Sequence, residues 1–323
     1  MITPALQELK SYFGRDFLLG VFFPVLIYVG VNLALYFEVF KEGFGAALAN
    51  WEKLLLQTQI LSVLIALIIV TVLSYLIYNF QYSITRLFEG YWPHSGIFRW
   101  LRNGRTGLYQ RRWVYLEAQT QPGSKLTAAE MDEIAQEQLT FYPPEAHHHR
   151  LMPTKLGNIL RAAELYAYDR YGIDSIIVWT RLRPLLTDKA GVSLQDSKIA
   201  IDFMLLMSVL ATTITLIWCP LLAIFTNRLG LFLLCALGWP LAWICYQNAV
   251  QRSLDYSEEL KAIFDLYRYE LLKALNRPIP TDIEAERKEW QALSYFLYYN
   301  YLPSEPSIWK QAVSRLVGLF KRK

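Results

Sequence analysis

QILSVLIALIIVTVLSYLIYNFQ, residues 59 to 81, carries no charged side chain. About 20 helical residues cross the roughly 30 Å of hydrocarbon in a bilayer, so this run is long enough to span one. From Ile60 to Phe80 only Ser62, Thr71, Ser74, Tyr75, Tyr78 and Asn79 interrupt its apolar character, and none of them breaks a helix. Beyond Phe80 two stripes emerge at three- and four-residue spacing. Leu76, Phe80, Ile84, Leu87 and Tyr91 form one; Tyr75, Asn79, Tyr82, Arg86 and Glu89 form the other. A single helix from Gln59 to Gly90 satisfies both and, at about 1.5 Å per residue, would be about 48 Å long, well beyond the membrane. The polar stripe either lines a wet path or forms the hydrogen-bonding seam of a bundle leaving the membrane.

The whole chain fits this reading. Its 323 residues are 54% hydrophobic and 15% aromatic, yet 19% charged, too apolar for an ordinary soluble enzyme and too charged to be all membrane. Three more charge-free runs, Phe17 to Phe37, Phe203 to Phe225 and Leu229 to Val250, are long enough to span, giving four crossings. The last two are separated only by Thr226, Asn227 and Arg228, which suits a tight helical hairpin.

Orientation follows from the cations. The segment 81–200 holds 15 of the 32 Lys and Arg and the tail 251–323 holds 12, whereas the two outer loops hold Lys41, Lys53 and Arg228. Both large polar parts and both termini are therefore expected in the cytoplasm. The formal charge of +4 reads as membrane-side basicity before it reads as nucleic-acid binding. All three cysteines, Cys219, Cys235 and Cys245, fall in hydrophobic runs as small apolar residues. The first hydrophobic run exceeds a signal-peptide core and lacks an Ala-x-Ala site, so it is expected to be retained.

The expected organisation is an N-terminal amphipathic helix within 1–16, the first two crossings and their outer loop in 17–80, and the first part of a cytoplasmic domain in 81–200. The hairpin of crossings three and four in 201–250, helices completing the domain in 251–303 and a basic amphipathic helix in 304–323 follow. The fold class is mostly α, with a largely helical cytoplasmic domain and one or two short strands. Trp113 to Leu116 reads as a strand, and Ile176 to Trp179 as a strand or a buried helical turn. Gly104, Gly107 and Gln119 to Lys125 read as turns. In the crossings, Asn32 needs an interhelical partner, Ser208 with Thr212 and Gly238 with Ala242 permit close helix approach, and Pro220 and Pro240 predict kinks.

Several polar features carry chemistry. Arg99, Arg102, Arg105, Arg111 and Arg112 alternate with aromatic residues, a mixture that can clamp nucleic acid. Next to a membrane the plainer reading is contact with anionic headgroups, shared by Lys321, Arg322 and Lys323 at the C-terminus. Thr127-Ala-Ala-Glu130 is a capping box opening a helix with Met131, Ile134 and Leu139 inward, and Thr281-Asp-Ile-Glu284 is a second. His147, His148 and His149 offer metal-ligand chemistry, but adjacent residues diverge on a regular element and His94 is remote in sequence, so no metal site is expected. A helix from Pro153-Thr154 to Tyr171 should bury Leu156, Ile159, Leu160, Ala163 and Ala167. The fourth crossing, free of breakers from Trp243 to Leu275, should continue into the cytoplasm with Glu258–Lys261, Asp265–Arg268 and Glu270–Lys273 as exposed pairs.

Residues 152 to 186, MPTKLGNILRAAELYAYDRYGIDSIIVWTRLRPLL, carry Pro-Thr-basic-Leu-Gly-Asn, Arg-Ala-Ala-Glu, Arg-Tyr-Gly-hydrophobic-Asp and Trp-x-Arg-Leu in succession. The block resembles a family of uncharacterised bacterial multipass inner-membrane proteins. Gly14 to Phe17 with Pro24, and Phe264 to Arg268 with Glu286, Arg287 and Trp290, are similar as well. The resemblance implies the topology and, as the family has no assigned activity, no catalytic residue or cofactor. Glu164, Arg170, Asp174 and Arg181 within the block are candidates for a buried ionic network that either stabilises the domain or binds a ligand.

No phosphate loop, GxGxxG, GxSxG elbow or zinc spacing is present, which argues against an enzyme. The leading expectation is a homo-oligomeric protein coupling a cytoplasmic sensing or binding domain to a membrane bundle, with channel or pore activity as its specific form. Alternatives are a scaffold that recruits a cytoplasmic protein partner through its C-terminal helix and, third, a membrane-bound hydrolase.

Overall fold

In the computed structural model, residues 14–120 and 126–300 are described, the side chains of Arg15, Glu145, Ala146 and His148 excepted. The expected N-terminal and C-terminal amphipathic helices lie outside the described residues. Four helical stretches are long and apolar enough to cross a membrane. They are α1 (Leu18–Phe40, opening with a π-helical turn at Leu18–Phe22), α3 (Leu56–Glu89), α8 (Asp188–Phe225), and the pair α9 (Leu229–Ala236) and α10 (Gly238–Ala274). Between α1 and α3 lies the short α2 (Phe44–Glu52). The others are α4 (Gly96–Thr120), α5 (Ala128–Phe141), α6 (Lys155–Tyr171), α7 (Ser175–Leu182) and α11 (Ile283–Tyr299).

No strand occurs among the described residues, which corrects the strand expected at Trp113 to Leu116 and decides Ile176 to Trp179 for the helical alternative. Trp113 to Leu116 lies inside α4, and Gly104 and Gly107 are helical positions rather than turns. A four-residue strand without a neighbour would leave its backbone unpaired, whereas continuing the helix pairs it internally. At α7 the Asp174 carboxylate accepts from the backbone N–H groups of Ile176 and Ile177 at 3.1 and 3.3 Å, committing the apolar run to a helix.

The chain divides into two compact units. The first comprises residues 1–112, 152–158 and 193–256, and the second 113–151, 159–192 and 257–323. In the first, Val21 and Val25 of α1, Val70 of α3 and Leu206 and Leu210 of α8 form one core, and Leu35, Trp218, Leu222 and Cys235 form another. Asn32 finds the partner it requires: its Oδ1 accepts from Trp218 Nε1 at 2.8 Å, and its Nδ2 donates to the Tyr28 carbonyl. A Cβ at Gly238 would lie 2.4 Å from Thr215 Oγ1 and 2.8 Å from the Ala211 carbonyl oxygen, so this glycine sets the approach of α10 to α8. Ser208 is buried, and Thr212 donates to its carbonyl within α8 at 2.7 Å. The fourth apolar run breaks at Leu237 because the Pro240 ring is incompatible with an unbroken turn four residues earlier, where α9 ends. Pro220 is carried inside α8.

Residues 152 to 158 form a clasp on the end of α3. Gly90, at φ +99°, terminates α3, and Pro153 lies against it. Thr154 Oγ1 donates to the Glu89 carbonyl at 2.9 Å and accepts from the Gly157 N–H at 3.0 Å. The fully buried Asn158 closes a ring on Met152, accepting from its N–H at 2.7 Å and donating to its carbonyl at 3.0 Å.

The second unit is built on Ile159, Ala163 and Ala167 of α6, Val178 and Leu182 of α7, Ile263, Phe264 and Leu271 of α10, and Trp290 and Leu293 of α11, all buried. The α6 face is buried as its periodicity predicts at Ile159, Ala163 and Ala167, as is Leu156 in the first unit, whereas Leu160 is half-buried. Gly172, at φ +75°, ends α6. The Thr127–Glu130 capping box forms as expected. The second box is displaced by one residue: Asp282, not Thr281, caps α11 and accepts from the Ala285 N–H at 2.8 Å. Leu139, expected inward, is exposed, since α5 contributes no buried residue.

Candidate functional site

Within the second unit, α5, the following 142–144 segment, α6, α10 and Arg287 of α11 enclose a cleft of about 1180 Å³. From α4, α5 and the 142–144 segment the lining takes the apolar and aromatic Trp113, Ala135, Leu139, Tyr142, Pro143 and Pro144 together with the polar Asp132, Gln136, Gln138 and Thr140. Trp113 and Tyr142 meet with ring centroids 5.6 Å apart. A charged wall comes from Asp169 and Arg170 of α6 and Glu258, Lys261 and Asp265 of α10.

That charged wall is held by phenols. The Asp265 carboxylate accepts from Tyr171 Oη at 2.7 Å and from Tyr166 Oη at 2.9 Å. Tyr166 in turn accepts from Arg170 Nη1 at 3.1 Å, and the Lys261 ammonium lies 5.8 Å from its ring centroid. Lys261 also pairs with Glu258 at 2.8 Å. Arg287 donates to the backbone carbonyls of Asp169 at 2.7 Å and Arg170 at 3.3 Å, tying α11 to the end of α6. Burial, then hydrogen bonding to Asp265, holds both the Tyr166 and Tyr171 phenols above the ordinary tyrosine value. Arg170 is raised by the two phenols beside it.

Below this wall, Glu286 is 3% exposed and accepts from Arg268 Nε at 2.8 Å, Tyr269 Oη at 3.0 Å and Trp290 Nε1 at 3.4 Å. Arg268 also donates to the Asp265 backbone carbonyl and lies over the Tyr171 ring at 4.2 Å. The expected Asp265–Arg268 side-chain pair is thereby corrected. Two phenols take the Asp265 carboxylate, while the guanidinium turns to a buried carboxylate on α11.

The four candidates for one ionic network are not brought together. Glu164 pairs with Arg161 at 3.0 Å, Asp174 caps α7, and Arg181 donates to the Ile177 carbonyl of its own helix at 2.9 Å. Only Arg170 reaches the cleft. Tyr166, Lys261, Asp265 and Arg287, which complete it, went unnamed as site residues. The signal in the sequence was a set of opposite charges on α10 at i, i+3 and i+4, which on its own reads as a solvated face.

Of the polar stripe of α3, Tyr75 is 60% exposed, Tyr82 is 70% exposed and Asn79 is exposed, whereas Arg86 and Glu89 are half-buried. Asn79 Nδ2 donates to the Tyr75 carbonyl at 2.7 Å, and Arg86 donates to Tyr82 Oη at 2.8 Å while lying 3.9 Å from the Tyr91 ring centroid. Glu89 serves the clasp through its carbonyl. On α4, Arg99, Arg105, Arg111 and Arg112 are exposed and Arg102 is half-buried. Lys321, Arg322 and Lys323 lie outside the described residues.

His147 packs edge-on to Tyr168 with centroids 5.4 Å apart and 6.1 Å from the His149 ring; burial, then Arg150, lowers its pKa. Among the described residues no group of three or more His, Cys, Asp or Glu converges as a metal site. The lining of the cleft holds carboxylates, cations and phenols but no Ser, Cys or His.

Comparison with protein-family models, with curated proteins and with solved structures finds no match to this chain.

Proposed function

We propose that this chain is a multipass protein of a bacterial inner membrane whose second unit, on the cytoplasmic side, binds a small polar ligand in the cleft and communicates occupancy to the spanning helices. The supporting observation is the placement of Glu258, Lys261 and Asp265. They sit on α10, the unbroken 37-residue helix that begins within the fourth apolar stretch. A ligand that engages those side chains acts directly on a helix that spans. Its charge should be mixed, because Arg170 and Lys261 offer donors while Asp132, Asp169 and Glu258 offer acceptors.

Purified protein screened by thermal unfolding against zwitterionic and anionic metabolites should give ligand-dependent stabilisation, abolished by Arg170→Ala or Lys261→Ala. The coupling is read by labelling cysteines placed at Tyr75 and Leu67 with and without the ligand. Stabilisation that survives both alanine variants would remove the cleft from the proposal.

A pore remains the second reading, supported by the exposed part of the polar stripe on α3. Because Tyr75, Asn79 and Tyr82 are exposed in the single chain, such a pore would be assembled between copies. Conductance in planar bilayers, altered by Asn79→Leu, is the expected result, and a monomeric particle without conductance rejects it.

A further inference from the structure

Helix α4 has two unlike faces. Arg102, Thr106, Tyr109, Trp113 and Leu116, spaced by three and four residues, form its less exposed side. Burial raises the Tyr109 phenol above its ordinary value. The opposite side carries a second apolar stripe, Ile97, Trp100, Leu101 and Leu108, again at three-, four- and seven-residue spacing. Its members are 66%, 72%, 38% and 56% exposed. An amphipathic helix normally spends its single apolar stripe on the core, so a second one on the outer face needs another environment.

The charges beside that stripe identify the environment. Arg111 and Arg112 continue the stripe toward the C-terminal end and Arg105 borders it, whereas Glu117, the one acid in α4, lies on the far side. We propose that α4 lies in the plane of the membrane surface, its Ile97–Leu108 stripe dipped into the headgroup boundary and Arg105, Arg111 and Arg112 on anionic phosphates. The chain allows this. The link from Glu89 to Gly96 is seven residue steps, at most about 25 Å, so α4 begins close to where α3 leaves the bilayer. Two other occupants fit less well. A second copy docked by the same face would oppose arginine to arginine. A nucleic-acid strand would find two exposed rings on that side, Trp100 and Tyr115, about 22 Å apart along the helix at about 1.5 Å per residue, too far to stack successive bases.

This inference rests on the membrane placement of the chain and is independent of ligand binding in the cleft. It is tested on the full chain in nanodiscs, with Cys219, Cys235 and Cys245 replaced by alanine and an environment-sensitive fluorophore attached at Trp100→Cys, Leu108→Cys or the control Asn103→Cys. All three positions are exposed, so the packed face is left intact. In discs containing phosphatidylglycerol, the labels at 100 and 108 should shift to the blue and be quenched several-fold more by lipid-borne quenchers than the label at 103. Replacing Arg105, Arg111 and Arg112 by glutamine should remove most of the difference between these discs and discs of pure phosphatidylcholine. Equal, water-like emission at all three sites in both lipids overturns the proposal. So does protection at 100 and 108 that persists in detergent and depends on protein concentration, which would assign the face to a second copy.

Discussion

Gly157 stands so close to the end of α3 that a Cβ on it would fall 2.0 Å from the Glu89 carbonyl oxygen and 2.9 Å from the Glu89 carbonyl carbon. These obstacles are backbone, which cannot swing aside. Gly157→Ala must therefore shift α6 off α3, breaking the Thr154–Glu89 bond with it, and is expected to cost about 3 kcal/mol or more, at the upper end for overpacking. Denaturant unfolding of the purified variant in detergent measures this. Thr154→Val removes the hydrogen bonds without the clash and should cost about 1–2 kcal/mol. Parity with the unaltered protein in Gly157→Ala would refute the clasp.

The Arg268–Glu286 pair predicts a different ranking of charge variants. Both side chains are largely buried, at 15% and 4% exposure, so Glu286→Ala strands a guanidinium and should destabilise by about 3–5 kcal/mol. The Glu270–Lys273 pair has the same contact distance, 2.8 Å, but both partners are half exposed, and Glu270→Ala should change stability by about 0.5 kcal/mol or less. Similar losses in the two variants would show that burial does not control the outcome.

The phenols on Asp265 make a prediction about alkali. Because the folded state holds Tyr166 and Tyr171 protonated beyond the ordinary tyrosine pKa of about 10, the unfolded chain releases those protons first as pH rises. Their contribution to stability is complete below about pH 10 and is lost above it. Tyr171→Phe and Asp265→Asn should both flatten the alkaline fall in melting temperature, and tyrosinate absorbance should appear at lower pH in Asp265→Asn. An unaltered alkaline profile in both variants would contradict the network.

Glycines in helices separate into two groups by what surrounds them. Nothing lies within 4 Å of a Cβ built at Gly104 or Gly107, so alanine at either should stabilise α4 by about 0.5–1 kcal/mol through helix propensity alone. At Gly238 the same substitution meets Thr215 and Ala211 and should destabilise the α8–α10 contact. Melting temperatures of the three alanine variants test the contrast, and a loss at Gly104 would reveal a partner packed against that face.

The sequence was most legible where one physical rule dominates. Hydrocarbon length picked out the four helices that are long and apolar enough to span, and three- and four-residue apolar spacing picked out most of the buried face of α6. Local chemistry likewise predicted the Thr127–Glu130 box and the stop at Gly172, and the scarcity of partners in lipid predicted that Asn32 would bond across helices. Where several rules compete, the sequence was less decisive. The apolar run at 113–116 read as a strand and the one at 176–179 left strand and helix open, and helix won at both because no strand among the described residues is there to pair with them.

The block at 152–186 shows the same division within a few residues. Its apolar spacing marked a helix, yet the need for glycine at 157, where a carbonyl of α3 rests in place of a side chain, arises 68 positions away in the chain. The cleft followed the same rule: Asp265 and Arg268 read as a solvated pair until Tyr166, Tyr171 and Glu286 arrived from other helices to claim them. Periodicity and transfer energy are local and additive, so the sequence alone determined the spanning helices and most of their inward faces. Which polar groups satisfy one another depends on helices far apart in sequence, and only the tertiary structure decided that.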